Sequence, residues 1–139
     1  LRYMLGALDG YTAAEAVEAK DMPGLERFIL HRLAELDGDV REAYRAFDYK
    51  RIVALLNGFM TSDLSAFYFD IRKDAIYCDA PSSPRRRAAR TVMAEIFSFL
   101  TAWLAPITCF TAEEAWLARP QDMPDVYHTF FGLAGLGLR

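Results

Sequence analysis

The side chains that could do chemistry here are few and far apart. The two histidines, His31 and His128, are widely separated and have no nucleophile beside them. Cys78 and Cys109 have no metal-ligand spacing, and no glycine-rich phosphate loop is present. Glu113 and Glu114 form a carboxylate pair, but a helix start explains acidic residues through its dipole. Neither a catalytic residue nor a metal site is expected. What stands out is charge. Arg85, Arg86 and Arg87, with Arg90, fall in what reads as the opening turns of a helix. The macrodipole disfavours cations there by about 0.3–1 kcal/mol each. Arginines beside free helix N–H groups can form a phosphate-binding surface. The same residues also fit a solvated basic turn neutralised by acids such as Asp79. Lys50 and Arg51 begin another helix on its exposed side and complete the set of candidate binding residues.

The elements that carry these residues are helices. Leu1–Leu8 reads as two helical turns, ended at Asp9-Gly10. Thr12-Ala-Ala-Glu15 has capping-box spacing and predicts a short helix or turn. Leu25, Phe28, Ile29, Leu33, Leu36, Val40, Ala43, Tyr44 and Phe47 form one stripe of a helix of about six turns. Gly38 sits inside it at a cost of about 1 kcal/mol relative to Ala. Glu26 and His31 lie off that stripe, and His31 reads as a solvated histidine. Asp48 is a good N-cap for the next helix, buried through Ile52, Leu55, Leu56, Phe59 and Met60. This helix runs on, or breaks briefly, at Thr61-Ser-Asp63, whose side chains compete for backbone hydrogen bonds and permit a kink. Beyond it, Leu64, Phe67, Tyr68, Ile71 and Ala75 predict a buried face opposite Ser65, Asp70, Arg72, Lys73 and Asp74. Ser83 as N-cap with Pro84 at the first helical position starts a helix that ends before Pro106. Thr111-Ala-Glu-Glu114 predicts a final short helix, stopped at Pro120. No strand alternation of useful length occurs. Short connections make neighbouring helices antiparallel, so the expected fold is an all-α antiparallel helix bundle over residues 1–120, with an irregular tail over 121–139.

Composition agrees. The chain has 139 residues, 53% hydrophobic and 25% charged, which suits a single globular domain. No apolar run approaches the roughly 20 residues needed to cross a bilayer, so no membrane partner is expected. No basic-then-apolar leader is evident. The cysteines read as buried or half-buried free thiols in a reducing compartment. The net charge is -3, so any contact with nucleic acid must be a local patch. The chain begins at Leu1 within an apolar helix-like pattern, which suggests an excised fragment.

Asp63-Leu-Ser-Ala-Phe-Tyr-Phe-Asp-Ile-Arg-Lys-Asp-Ala-Ile-Tyr77 resembles a helix of the anticodon-binding domain of isoleucyl-tRNA synthetases, class I aminoacyl-tRNA synthetases. Leu25–Leu36 with Val40 and Arg-Glu-Ala-Tyr44 is similar to the helix that precedes it in that family. Leu104-Ala-Pro-Ile-Thr-Cys-Phe-Thr-Ala-Glu-Glu-Ala-Trp116 resembles the family's Leu-Ala-Pro…Phe-Thr-x-Glu-Glu-x-Trp turn. The match covers most of residues 1–120 in family order. The resemblance implies a module that grips the anticodon stem-loop of isoleucine tRNA, with the rest of the synthetase chain as its other partner. It implies a cytoplasmic parent that attaches isoleucine to tRNA using ATP and magnesium. Neither adenylate-forming motif of that class, His-x-Gly-His nor Lys-Met-Ser-Lys-Ser, is present, so this stretch holds no cofactor site of its own. Under the resemblance the arginine cluster becomes a candidate phosphate contact. The leading helix would be cut short at Leu1, leaving an apolar groove through which copies could self-associate. The tail departs from the family pattern after an approximate counterpart at Val126–Phe131, and a cysteine-rich zinc-binding tail is absent. The alternatives are the equivalent domain of a valyl- or leucyl-tRNA synthetase, or a helical protein-interaction module without RNA binding.

Overall fold

The computed structural model describes residues 1–120, and all its regular structure is helical. The elements are α1 (Arg2–Ala7), single 3₁₀ turns at Ala13–Glu15 and Ala19–Asp21, α2 (Gly24–Arg45), α3 (Tyr49–Gly58), a π-helical segment (Phe59–Tyr68), α4 (Phe69–Tyr77), α5 (Pro84–Leu104) and α6 (Cys109–Leu117). The all-α class expected from the sequence is what forms. The tail over residues 121–139 lies outside the described residues. The described residues divide into two compact units, one of residues 17–92 and one joining 1–16 to those from 93 onward; α5 begins in the first and ends in the second.

In the unit of residues 17–92, α2 runs antiparallel to a continuous helix from Tyr49 to Tyr77. Three ion pairs record the register: Glu42 with Arg51 (3.0 Å), Asp63 with Arg32 (3.6 Å) and Glu26 with Arg72 (2.6 Å). As residue numbers fall along α2 they rise along its partner. Between the helices Ile29, Leu33, Leu36, Val40 and Ala43 are buried, as are Ile52, Leu56, Phe59, Leu64 and Tyr68. Each large apolar side chain buried this way contributes about 1.5–3 kcal/mol relative to exposure. Gly38 stays within α2.

The π-helical segment changes which residues face inward. The Thr61 hydroxyl donates to the carbonyls of Asn57 (2.7 Å) and Gly58 (3.4 Å), competing with the helical ladder as its sequence context suggested. The helix does not break; its turns widen. The buried positions become Phe59, Leu64 and Tyr68, then Ala75 and Ile76. Phe67 and Ile71, expected inside, are 41% and 46% exposed. Arg72, expected outside, is only 12% exposed because it meets a wholly buried Glu26. Both guanidinium Nε and one terminal nitrogen donate to that carboxylate, at 2.6 and 2.9 Å, and the Tyr68 hydroxyl donates to it at 3.3 Å.

The continuous helix also corrects the expectation about length. By length and composition, Tyr49–Tyr77 could cross a bilayer. The polar residues that seemed to interrupt the run lie within one unbroken helix. Asp63 and Arg72, both ion-paired to α2, mark it as a helix packed on another helix.

In the second unit, Met4, Ala7 and Leu8 of the α1 region are buried, as are Met93, Ile96, Phe97, Leu100 and Trp103 of α5 and Ala112 and Ala115 of α6. Gly10, at φ +66°, ends the turn after α1. The expected helix start at Thr111 is displaced: α6 begins at Cys109 after Thr108, with no side-chain cap. Thr12 likewise makes no side-chain cap, and only one 3₁₀ turn follows it. Cys78 and Cys109 are free but exposed, not buried; each sits at a helix end rather than on an inward face.

Candidate nucleic-acid interface

The first candidate surface is the start of α5. Pro84 occupies its first position, as expected, and the Arg87 N–H bonds the Ser83 carbonyl at 3.0 Å. The arginines here meet different fates. Arg85 grips Asp79 with two nitrogens, at 2.8 and 3.0 Å, and the Ser83 hydroxyl donates to the same carboxylate at 3.1 Å. Arg85 chiefly, then Ser83, holds the Asp79 carboxyl below the usual carboxylate range. Arg86 and Arg87 are half-buried and Arg90 is buried. The Nε of Arg86 is buried without an acceptor. Of this cluster, only Arg85 presents a largely exposed side chain, and its charge is already answered.

The second surface is the corner between α2 and α3, where Lys50 and Arg51 lie. Arg45 closes α2, Ala46 is its C-cap, and the chain reverses at Phe47 and Asp48. The Asp48 N–H bonds the Ala43 carbonyl at 2.9 Å and the Phe47 N–H bonds the Tyr44 carbonyl at 3.0 Å. That pair of bonds is a Schellman motif, whose left-handed residue is usually glycine. Here it is Phe47, at φ +53° and 76% exposed. Asp48 then caps α3 as expected, accepting from the Arg51 N–H at 2.9 Å. Tyr49, 49% exposed, meets Tyr44 edge to face, ring centroids 6.2 Å apart. Burial, then the neighbouring Tyr49, raises the Tyr44 hydroxyl above its ordinary value.

Charge at this corner is mixed. Arg45 and Lys50 are exposed and have no ion-pair partner among the described residues. Arg51 is shared between Glu42 (3.0 Å) and Asp39 (3.7 Å). Beside it, a cleft of about 250 Å³ is lined by Arg32, Glu35, Asp39 and Asp63 among others, a carboxylate-rich wall that repels phosphate.

The chain is matched over residues 26–130 by the family described as the anticodon-binding domain of tRNA ligase. The chain belongs to this family. It is 60% identical over 119 residues to the isoleucine–tRNA ligase of Gluconobacter oxydans, a span of 86% of this chain and 12% of that one. Against the isoleucine–tRNA ligase of Rhodopseudomonas palustris it is 54% identical over 134 residues, 96% of this chain and 13% of the relative. The enzyme of the same name from Agrobacterium fabrum is 52% identical over 127 residues, 91% of this chain and 13% of the relative. The chain therefore spans 12–13% of the length of the curated relatives it matches.

Within this family member, the corner brings Lys50 and Arg51 beside Arg45, Phe47 and Tyr49, which sequence reasoning had not singled out. By spacing Phe47 belongs to the buried stripe of α2; in the structure it lies past the end of that helix and is exposed. The cap at Asp48 is the sequence signal that bears on it: with α2 ending at Arg45, only Ala46 and Phe47 are left for the reversal, which takes Phe47 off the α2 stripe. Read as Arg45-Ala-Phe-Asp-Tyr-Lys-Arg51, the stretch interleaves aromatic and basic residues.

Proposed function

We propose that this chain is the segment of an isoleucine–tRNA ligase that binds the anticodon stem-loop of isoleucine tRNA, and that the α2–α3 corner is its contact surface. The identities of 52–60% to isoleucine–tRNA ligases support the amino-acid assignment over the valine or leucine enzymes. The observation that carries the surface is the exposed corner, where Arg45 and Lys50 stand uncompensated next to Phe47 and Tyr49. Arg51 contributes partially neutralised charge. In this reading Arg85, Arg86, Arg87 and Arg90 play a secondary part, with Arg85 held by Asp79. Attachment of isoleucine with ATP and magnesium is the work of the rest of the ligase chain, in the cytoplasm. That remaining chain is the second partner. It is the proposed cover for the exposed apolar side chains Phe110 and Leu117 of α6, which free copies could instead bury by self-association.

A salt titration of stem-loop binding tests the surface. Release of counterions from two to three phosphate contacts on single-stranded RNA gives a log–log slope of about −1.4 to −2. Joint Arg45→Ala and Lys50→Ala substitution should weaken binding and flatten the slope by roughly 1.4, about 0.7 per contact. An unchanged slope in that variant, with a flatter one in Arg86→Ala/Arg87→Ala, moves the surface to α5. A chain that binds protein but no RNA at low salt is the helical interaction module.

A further inference from the structure

Phe47 has no structural reason to be phenylalanine. Its backbone sits at φ +53°, a region that is costly for any residue with a Cβ and that glycine occupies freely. The residue is 76% exposed, so burial returns little of that cost. An outlier that the fold neither needs nor repays points to a use outside the fold. The left-handed residue also fixes where the ring goes. The Schellman bonds from Phe47 and Asp48 to Tyr44 and Ala43 tie the turn to α2, and the Asp48 cap ties it to α3. Phe47 therefore stands at a rigid reversal rather than on a loose loop. Tyr49, braced edge to face on Tyr44, offers a second exposed ring two residues on.

We infer that Phe47 is a stacking platform for an unpaired base, held in a strained backbone so that the ring projects from the corner. The inference rests on the reading above that this chain binds RNA, and it names the chemistry of the contact. Electrostatics at this corner is limited to Arg45 and Lys50, because the chain carries net charge -3 and Arg51 is already shared by two carboxylates. Stacking does not depend on net charge, and every base has a face that fits an aromatic ring. Arg45 and Lys50 bracket Phe47 in sequence and would hold the phosphates on either side of the stacked nucleotide. A paired base cannot offer its face to such a ring, so the ligand is a loop rather than a duplex.

The test is Phe47→Gly in the 139-residue chain, read by melting temperature and by binding to a hairpin RNA bearing the isoleucine anticodon loop, with 2-aminopurine placed in the loop. Glycine relieves the backbone, so the melting temperature should hold or rise. Affinity should fall roughly 10-fold to 100-fold, the range set by one lost base–aromatic stack, and the fluorescence quenching seen with the native chain should disappear. Phe47→Trp should keep both. A blunt duplex of the stem sequence should bind the native and Phe47→Gly chains equally and weakly. Native-like hairpin affinity in Phe47→Gly overturns the platform while leaving RNA binding intact. Failure of the native chain to bind the hairpin at low salt overturns the RNA reading and the platform with it. A lowered melting temperature in Phe47→Gly contradicts the strain argument, and the tryptophan variant then decides the stacking separately.

Discussion

Replacing Glu26 by glutamine keeps the side chain's shape and removes its charge, which isolates what the buried ion pair contributes. Glu26 is wholly buried and Arg72 is 12% exposed, so water cannot take over for the lost partner. Two opposite charges about 4 Å apart at an effective dielectric constant near 20 attract by about 4 kcal/mol. Removing one member of such a pair leaves the other uncompensated and typically costs about 3–5 kcal/mol. Glutamine still accepts one bond from Arg72, so the lower end of that range, about 3 kcal/mol, is expected. For a domain of this size that is a fall in melting temperature of about 10 °C. Arg72→Met should cost at least as much, because it strands a buried carboxylate. The combined Glu26→Leu/Arg72→Met/Tyr68→Phe variant removes every polar member of the group at once. It should return to within about 1 kcal/mol of the native chain, since buried ion pairs contribute little net stability over an apolar replacement. Urea unfolding of the set measures all of this. A Glu26→Gln cost below about 1 kcal/mol, or a triple variant less stable than either single one, refutes the reasoning.

Glu95 behaves oppositely. Burial raises its carboxyl above the ordinary value, and no cation among the described residues answers it. Its protonated form is favoured in the fold, so its contribution is full below the unfolded pKa and is lost as pH rises through the folded one. Glu95→Gln should therefore raise the melting temperature at about pH 7.5 and change it little at about pH 4; an equal shift at both pH values would show that charge is not the cause. Asp48→Ala removes the α3 cap and should cost about 1 kcal/mol in urea unfolding, with loss of order in the corner visible by hydrogen exchange.

Much of this fold was legible because its signals are local. The Asp48 cap, the Ser83-Pro84 start and the middle of the α2 stripe, Ile29 to Ala43, each depend on neighbours within a turn and are found where expected, whereas Phe28 and Phe47 at the ends of that stripe are exposed. What escaped depended on distant partners or on an altered helical period. Glu26 lies off the apolar stripe, and only the fold brings Arg72 to it across 46 residues. The π-helical segment changes the spacing of inward positions, so a stripe counted at 3.6 residues per turn put Phe67 and Ile71 on the wrong side. The surface proposed here was half legible. Lys50 and Arg51 were visible as exposed helix-start cations, whereas Phe47 was hidden by its apolar character. For the arginine run, the sequence left a phosphate surface and a turn neutralised by Asp79 both open, and the bidentate grip of Arg85 on Asp79 bears out the second for Arg85.

The most direct test of the account is where RNA protects the chain. Hydrogen exchange with and without the isoleucine anticodon hairpin should show slowed exchange over residues 44–52, the α2–α3 corner, with little change over residues 84–90. Protection confined to the start of α5, or none along the chain at saturating hairpin, would contradict the claim that this corner is the RNA-binding surface.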